Sequence, residues 1–284
     1  MKQARSFLKA ITAVASTLAA GLAQANPVRW QLNMTPGVTQ TSHSVYDLHN
    51  LTLWLCVGIG VLVFGAMGYS MFAHRKSKGA VAATWSHNTV AEVIWTIVPI
   101  LILVVMAIPA TKTLFSMADS TKAEMTVKVT GYQWLWQYEF LGENVKFTSR
   151  LERTSDRVRQ LGSGLDPYSV KVGDENTYLL DVDHPLVLPI NTKIRFVVTA
   201  DDVIHSWWVP ALGWKQDAIP GVITEQWTNI SEPGVYRGQC AQLCGRDHGY
   251  MPIVVRAVSK TEFKTWLAAQ RSAENAAATA SLAP

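Results

Sequence analysis

No nucleophile–base pair, phosphate-binding glycine loop or acid pair in the 284-residue chain argues for a chemical reaction of its own. It also lacks an internal repeat, which excludes a solenoid or propeller of stacked units. Cysteine is scarce: of three, Cys56 lies in an apolar run and reads as filler, which leaves Cys240 and Cys244 as a pair. Excess positive charge is small. The formal charge of +4 falls to +1 once Lys2, Arg5 and Lys9 near the N-terminus are set aside, so a sequence pI of about 8.9 implies no nucleic-acid partner.

Charge is missing altogether between Leu48 and Phe72, a stretch long enough to cross a bilayer. A second stretch, 90–117, holds only Glu92 near its start and Lys112 near its end, around an apolar core from Ile94 to Ala110. The expectation is a helical hairpin, with transmembrane helices over 48–72 and 90–117 and kinks at Pro99 and Pro109. The loop between them, 73–89, carries His74, Arg75, Lys76 and Lys78, and the positive-inside rule assigns it to the cytoplasm. The segment 26–47 and everything after Ser120 then face the periplasm. Ahead of the hairpin, 1–25 combines a basic start, an apolar middle and Ala23-Gln24-Ala25, the pattern of a secretory signal peptide. Glu92 is the one acid in or at the edge of either span. Such a group faces water, headgroups or a protein partner, and the last of these makes it a functional candidate.

From residue 118 the chain changes character. Met125 to Val129 alternates, and Tyr132, Trp134, Trp136, Tyr138 and Phe140 fall at every second position, so both segments read as strands with one apolar face. Thr177 to Val182, Lys193 to Ala200, Thr224 to Ile230 and Pro252 to Val258 read as further strands, in the pattern of a sandwich or barrel over 118–262. The four arginines and the glycines of 150–167 have no hydrophobic period, and a surface insertion over about 141–176 is expected. Residues 263–284 form a tail whose Ala/Ser-rich end, after Arg271, reads as disordered.

The densest chemistry is the run CAQLCGRDHGYM from Cys240. Cys240, Cys244, His248 and Met251 are soft or borderline donors of the kind that bind copper or zinc, and a thioether tilts the choice toward copper. A mononuclear blue-copper site uses one thiolate, whereas two thiolates four residues apart can bridge a pair of coppers. The plain alternative is a disulfide. One more imidazole is needed from elsewhere, and His205, expected in the loop just beyond the strand that ends near Ala200, is the best donor. His184, before Pro185, reads as an ordinary surface residue.

Three segments together, GYQWLWQYEF from Gly131, DDVIHSWWVPALGWKQDAIPG from Asp201 and CAQLCGRDHGYM from Cys240, resemble subunit II of bacterial haem-copper cytochrome c oxidases of the aa3 type. The resemblance covers nearly all of residues 40 to 260. It implies a two-helix membrane hairpin followed by an all-β, Greek-key cupredoxin domain that holds the dinuclear copper centre CuA. His205 and His248 would give one imidazole to each copper, Cys240 and Cys244 would bridge both, Met251 would complete one site and the main-chain carbonyl of Gln242 the other. Trp134 matches the surface tryptophan that receives electrons from cytochrome c, and Asp202 an acid that helps dock this basic partner. The part from Ala118 onward carries 19 acids against 17 lysines and arginines, so steering would have to come from a local patch.

Glu92 matches the acid at the mouth of a proton path into subunit I, and Asp217 a position at the boundary with that subunit. Subunit I, with haem and a further copper, would reduce oxygen and pump protons, alongside subunit III, in the bacterial inner membrane. Gln242 departs from the family pattern, where a glutamate commonly also binds magnesium at the subunit I boundary; a neutral amide is a weaker magnesium donor. Three alternatives stand beside this reading. A quinol oxidase second subunit shares the fold but lacks the copper ligands present here. Nitrous oxide reductase carries a similar motif with a large extra domain that this chain lacks. A membrane-tethered zinc or disulfide redox-sensing module is the third.

Overall fold

Residues 23–25, 30–160 and 177–281 are described by the structure, a computed structural model; most of the expected signal peptide and residues 161–176 of the expected insertion lie outside the described residues. The chain divides into two units. One is His43–Met117, and the other joins the preceding residues to everything from Ala118 on.

Along the chain, β1 (Ala23–Ala25) is followed by the helices α1 (Gln40–Ala73) and α2 (Thr89–Ala118), which are apolar enough and, at 34 and 30 residues, long enough to cross a membrane. α1 begins eight residues before the uncharged stretch because Thr39 and Ser42 cap its start reciprocally. The Ser42 amide donates to Thr39 Oγ1 and the Thr39 amide to Ser42 Oγ, both at 2.9 Å. α2 is opened by Asn88, whose side chain accepts the Ala91 amide at 3.1 Å, and it runs through Pro99 and Pro109.

The rest is β2 (Met125–Tyr132), β3 (Leu135–Phe140), β4 (Val145–Ser149), a short helix α3 (Arg153–Arg159), β5 (Leu186–Pro189), β6 (Ile194–Ala200), β7 (His205–Val209), β8 (Trp214–Ala218), β9 (Thr224–Thr228), β10 (Gly234–Cys240), β11 (Pro252–Val258) and α4 (Lys260–Ser281). Two sheets form, in the orders β5-β11-β10-β7-β8 and β4-β3-β2-β6-β9. β7 pairs with β10 only at Gln239 and Cys240, and β1 adds in parallel along Gly234–Tyr236. Inward residues alternate along β3 (Trp136, Tyr138, Phe140) and β6 (Ile194, Phe196, Val198, Ala200), as a strand with one buried face requires. Between the sheets, Trp207 Nε1 donates to Tyr138 Oη at 3.2 Å, and Trp207 stacks on Trp214 at 4.9 Å. The architecture is a pair of apolar helices followed by a cupredoxin-like all-β sandwich.

Several expectations are corrected. Thr177–Val182 is not a strand but a turn, touching Leu151 by one bridge at Val182, with Asp181 held by Arg237 at 2.8 and 3.0 Å. The expected insertion contains β4, a full member of the second sheet paired with β3 from Trp136↔Ser149 to Phe140↔Val145. It also contains α3, with Ser155 and Val158 buried and its first amides capped by the Glu152 carboxylate at 2.8 and 2.9 Å. The tail continues as helix to Ser281 because alanine has the highest helix propensity; nearer its start, Phe263 and Leu267 are buried and Trp266 packs on Phe140 and Phe147. His205 opens strand β7 instead of sitting in the loop before it.

Candidate metal centre

One end of the sandwich gathers the soft donors. His205 is the first residue of β7 and Cys240 the last of β10, two strands already in register at Cys240↔Trp207, and the Ala241 amide extends the ladder to Ser206 O at 3.0 Å. The chain then loops through Cys244, makes a single helical turn over His248–Tyr250, and enters β11 directly after Met251. Short spacing in sequence and adjacency of β7, β10 and β11 thus bring donors from β7, from β10 and from the segment joining β10 to β11 to one rim. Cys240 Sγ lies 3.8 Å from Cys244 Sγ, 4.0 Å from His205 Nδ1 and 3.4 Å from the main-chain oxygen of Gln242. Cys244 Sγ lies 3.5 Å from both His248 Nδ1 and Met251 Sδ.

These separations fit a metal centre. Ligands about 2.0–2.3 Å from a tetrahedral metal are about 3.3–3.8 Å from each other; four of the five separations fall in that range, and the fifth, His205 to Cys240, is slightly longer at 4.0 Å. At 3.8 Å the sulfurs are not bonded, and Cys240, Cys244, His205 and Met251 are all buried. Around the two central sulfurs stand three further side chains and one carbonyl, six donors in all and more than one tetrahedral ion takes.

The surroundings orient this set. Asp202 Oδ1 sits 2.9 Å from His205 Nε2, and its other oxygen accepts the Gln133 amide at 2.7 Å. The Trp136 ring meets the imidazole edge-on at 5.9 Å. A Cβ at Gly131 would lie 2.8 Å from His205 Cδ2, so glycine is required by close approach. Burial opposes a charged His205, but the Cys240 sulfur and Asp202 carboxylate outweigh it and lift the imidazole above the usual histidine range. Burial likewise opposes ionised Asp202, yet His205 and the amides of Val203 and Gln133 hold it low. Of the thiols, Cys244 is pushed up to about 12, first by burial and then by its neighbour Cys240. Cys240 stays below the usual thiol range because His205 and main-chain groups outweigh its own burial.

Trp134 lies in the turn between β2 and β3, half-buried, with Nε1 donating to Cys244 O at 3.2 Å. Asp217, on β8, is next to Ala218, the register partner of His205, and points to the other face of that sheet. Glu92 belongs to the other unit, in the first turn of α2, where its carboxylate accepts the Asn88 amide at 3.4 Å. Two contributors had gone unnoticed in the sequence. Gln133 donates through Nε2 to Cys244 O at 2.9 Å, and its place beside Trp134 was the available signal. Arg159 of α3 pairs with Asp247, and no motif pointed to it.

Fold and donor set define a class: two helices apolar and long enough to span a membrane, then a cupredoxin-like domain whose cluster of cysteine, histidine and methionine side chains could hold a transition metal. The chain belongs to the cytochrome c oxidase subunit II family. The family model for the periplasmic domain matches residues 125–258, and that for the transmembrane domain residues 27–113. Among relatives, the probable cytochrome c oxidase subunit 2 of Rickettsia prowazekii is 39% identical over 243 residues, 85% of this chain and 73% of its own. The cytochrome c oxidase subunit 2 of Cereibacter sphaeroides is 34% identical over 235 residues, 82% of this chain and 78% of its own. A crystal structure of the periplasmic domain of cytochrome oxidase subunit II from Bradyrhizobium japonicum is 36% identical, covers 54% of this chain and 97% of that one, and has a TM-score of 0.45.

Proposed function

We propose that this chain is the electron-input subunit of a bacterial aa3-type cytochrome c oxidase, taking electrons from cytochrome c and handing them to haem in subunit I. There oxygen is reduced to water with proton pumping. His205, Cys240, the carbonyl of Gln242, Cys244, His248 and Met251 hold a dinuclear copper centre, CuA. Held there, copper would supply one-electron chemistry, and because the donors are fixed by β7, β10 and the loop before β11 they would need to move little between redox states. The observation that carries the reading is the donor spacing of 3.4–4.0 Å around Cys240 and Cys244.

This chain's own residues do the positioning. Asp202 keeps a proton on Nε2 of His205, so that Nδ1 offers its lone pair toward the sulfurs, and as an acid on the rim it helps receive a basic cytochrome c. Trp134 receives the electron, supported by its bond to the backbone of Cys244. Glu92 opens a proton route at the cytoplasmic end of α2, and Asp217 lies at the boundary with subunit I; subunit III completes the assembly in the inner membrane. Magnesium at that boundary is weakly held, since Gln242 offers an amide where a carboxylate would bind more tightly. Gln242→Glu strengthens it and leaves copper unaffected.

Metal analysis and a visible spectrum of the purified full-length chain test this. Two coppers with intense thiolate bands are expected, and Cys244→Ser abolishes them, because a hydroxyl cannot replace a bridging thiolate. Bound zinc, or a colourless disulfide, would overturn the copper reading.

A further inference from the structure

The two histidines of the centre are supported differently. His205 has a strand beneath it and the Asp202 carboxylate at its outer nitrogen. His248 stands on a single helical turn. Among the described residues, its polar contacts are Cys244 Sγ at Nδ1 and its own amide, which donates to Gly245 O at 3.3 Å. The imidazole must therefore be aimed by whatever fixes the turn.

What fixes it comes from outside the two sheets. Arg159, at the end of α3, donates to both oxygens of Asp247, at 3.2 and 3.3 Å, and its guanidinium lies 4.2 Å from the centre of the Tyr250 ring. Asp247 immediately precedes His248, and Tyr250 immediately precedes Met251. One planar group thus grips both ends of the turn that carries a proposed ligand and leads into the next.

The grip is itself anchored. Arg159 Nε donates to Asp156 Oδ1 at 2.9 Å, the helix is capped at its start by Glu152, and Val158 is buried. An open cleft of about 230 Å³ is bordered by α3 at Asp156 and Arg159 and by the loop at Tyr250 and Asp247, with Trp134 on its wall. Arg159 crosses this gap. Side-chain exposures of 16% for Arg159 and 13% for Asp247 take the pair out of the weak, fully solvated class of ion pairs.

We propose that Arg159 is a positioning residue for His248 and Met251, acting through Asp247 and Tyr250 to hold the metal loop in its ligating shape before metal binds. The proposal rests on the copper reading of those two residues. Lysine replaces Arg159 only in part, because a point charge lacks the fork that spans both Asp247 oxygens and the plane that stacks on Tyr250.

Hydrogen exchange by mass spectrometry on the metal-free, detergent-solubilised full chain tests the clamp without copper. Arg159→Ala is expected to speed exchange of the amides from Arg246 to Met251 by about tenfold, with β2, β3 and β6 unchanged. Arg159→Lys should recover only part of the protection. If the alanine variant does not fold, Arg159→Lys and Tyr250→Leu carry the same comparison. Loaded with copper ions alone, the variants should still show thiolate bands but release copper to a chelator several-fold faster. Arg159→Ala combined with Asp247→Ala should be no worse than either single change. A parent chain that takes up no copper overturns the copper reading and the positioning role with it. Unchanged loop exchange and copper release in a copper-binding protein overturn the clamp alone.

Discussion

Nε2 of His205 and Oδ1 of Asp202 are 2.9 Å apart, which leaves Nδ1 as the nitrogen that faces Cys240. A carboxylate at the outer nitrogen makes an imidazole a better donor and so favours the higher oxidation state of a bound metal. Asp202→Asn keeps an acceptor but loses the charge. The midpoint potential is expected to rise by on the order of 30–60 mV, read by redox titration of the visible bands. No shift would leave Asp202 with a docking role only.

Trp134 has two separable attributes, a ring and a donor to Cys244 O. Trp134→Phe removes the donor and keeps a ring, at an expected ~1 kcal/mol of stability. Trp134→Ala removes both. Gln133 still donates to the same carbonyl, so copper content should survive in each variant. Stopped-flow reduction by cytochrome c should be slowed in both and most in Trp134→Ala; equal rates in parent and alanine variant would return Trp134 to a structural role.

Glu92 sits in the first turn of a helix otherwise uncharged until Lys112. Glu92→Ala is expected to lower steady-state turnover of the assembled oxidase while cytochrome c binding stays unchanged, and Glu92→Asp to keep part of it. Normal turnover across pH would assign the carboxylate to the headgroup region.

The cap on α3 supplies a pH signature. Burial disfavours ionised Glu152, but the amides of Thr154 and Ser155 prevail and hold its carboxyl below the ordinary glutamate range. A lowered folded pKa gives stability that is present above the unfolded value and is lost as pH falls through the folded one. Glu152→Gln should therefore lower the melting temperature by a few degrees at pH 7, consistent with about 1 kcal/mol for a helix cap. The difference should shrink as pH falls below the ordinary glutamate range and the folded carboxyl takes up its proton, and a gap that stayed constant would exclude the charged cap.

The membrane helices were legible because the bilayer requires about 20 apolar residues in a row, and missing charge is visible without knowing any contact. The donor cluster was legible because four of its side chains lie between Cys240 and Met251. Strands were read where alternation was long, as in β3 and β6, and missed at β4, β5, β7 and β8, which are short, and at β10, whose inward face holds two glycines. Thr177–Val182 has strand composition, but among the described residues it pairs through a single bridge. Arg159 and Asp247 are 88 residues apart, and nothing in either local sequence encodes the other. Partnerships made by the fold leave no spacing to find.

The hydrogen atom that serves as side chain at Gly131 makes the strand side of the centre intolerant of drift. Any single substitution there, even to alanine, brings a carbon to 2.8 Å from the His205 ring. On the solvent side Leu243 is 77% exposed and can be exchanged without touching a donor, whereas Arg246, though 83% exposed, reaches Asp247 at 3.5 Å. Random variation in a lineage would therefore accumulate on one side of this site, remodelling the exposed surface while the geometry beneath it is inherited unchanged.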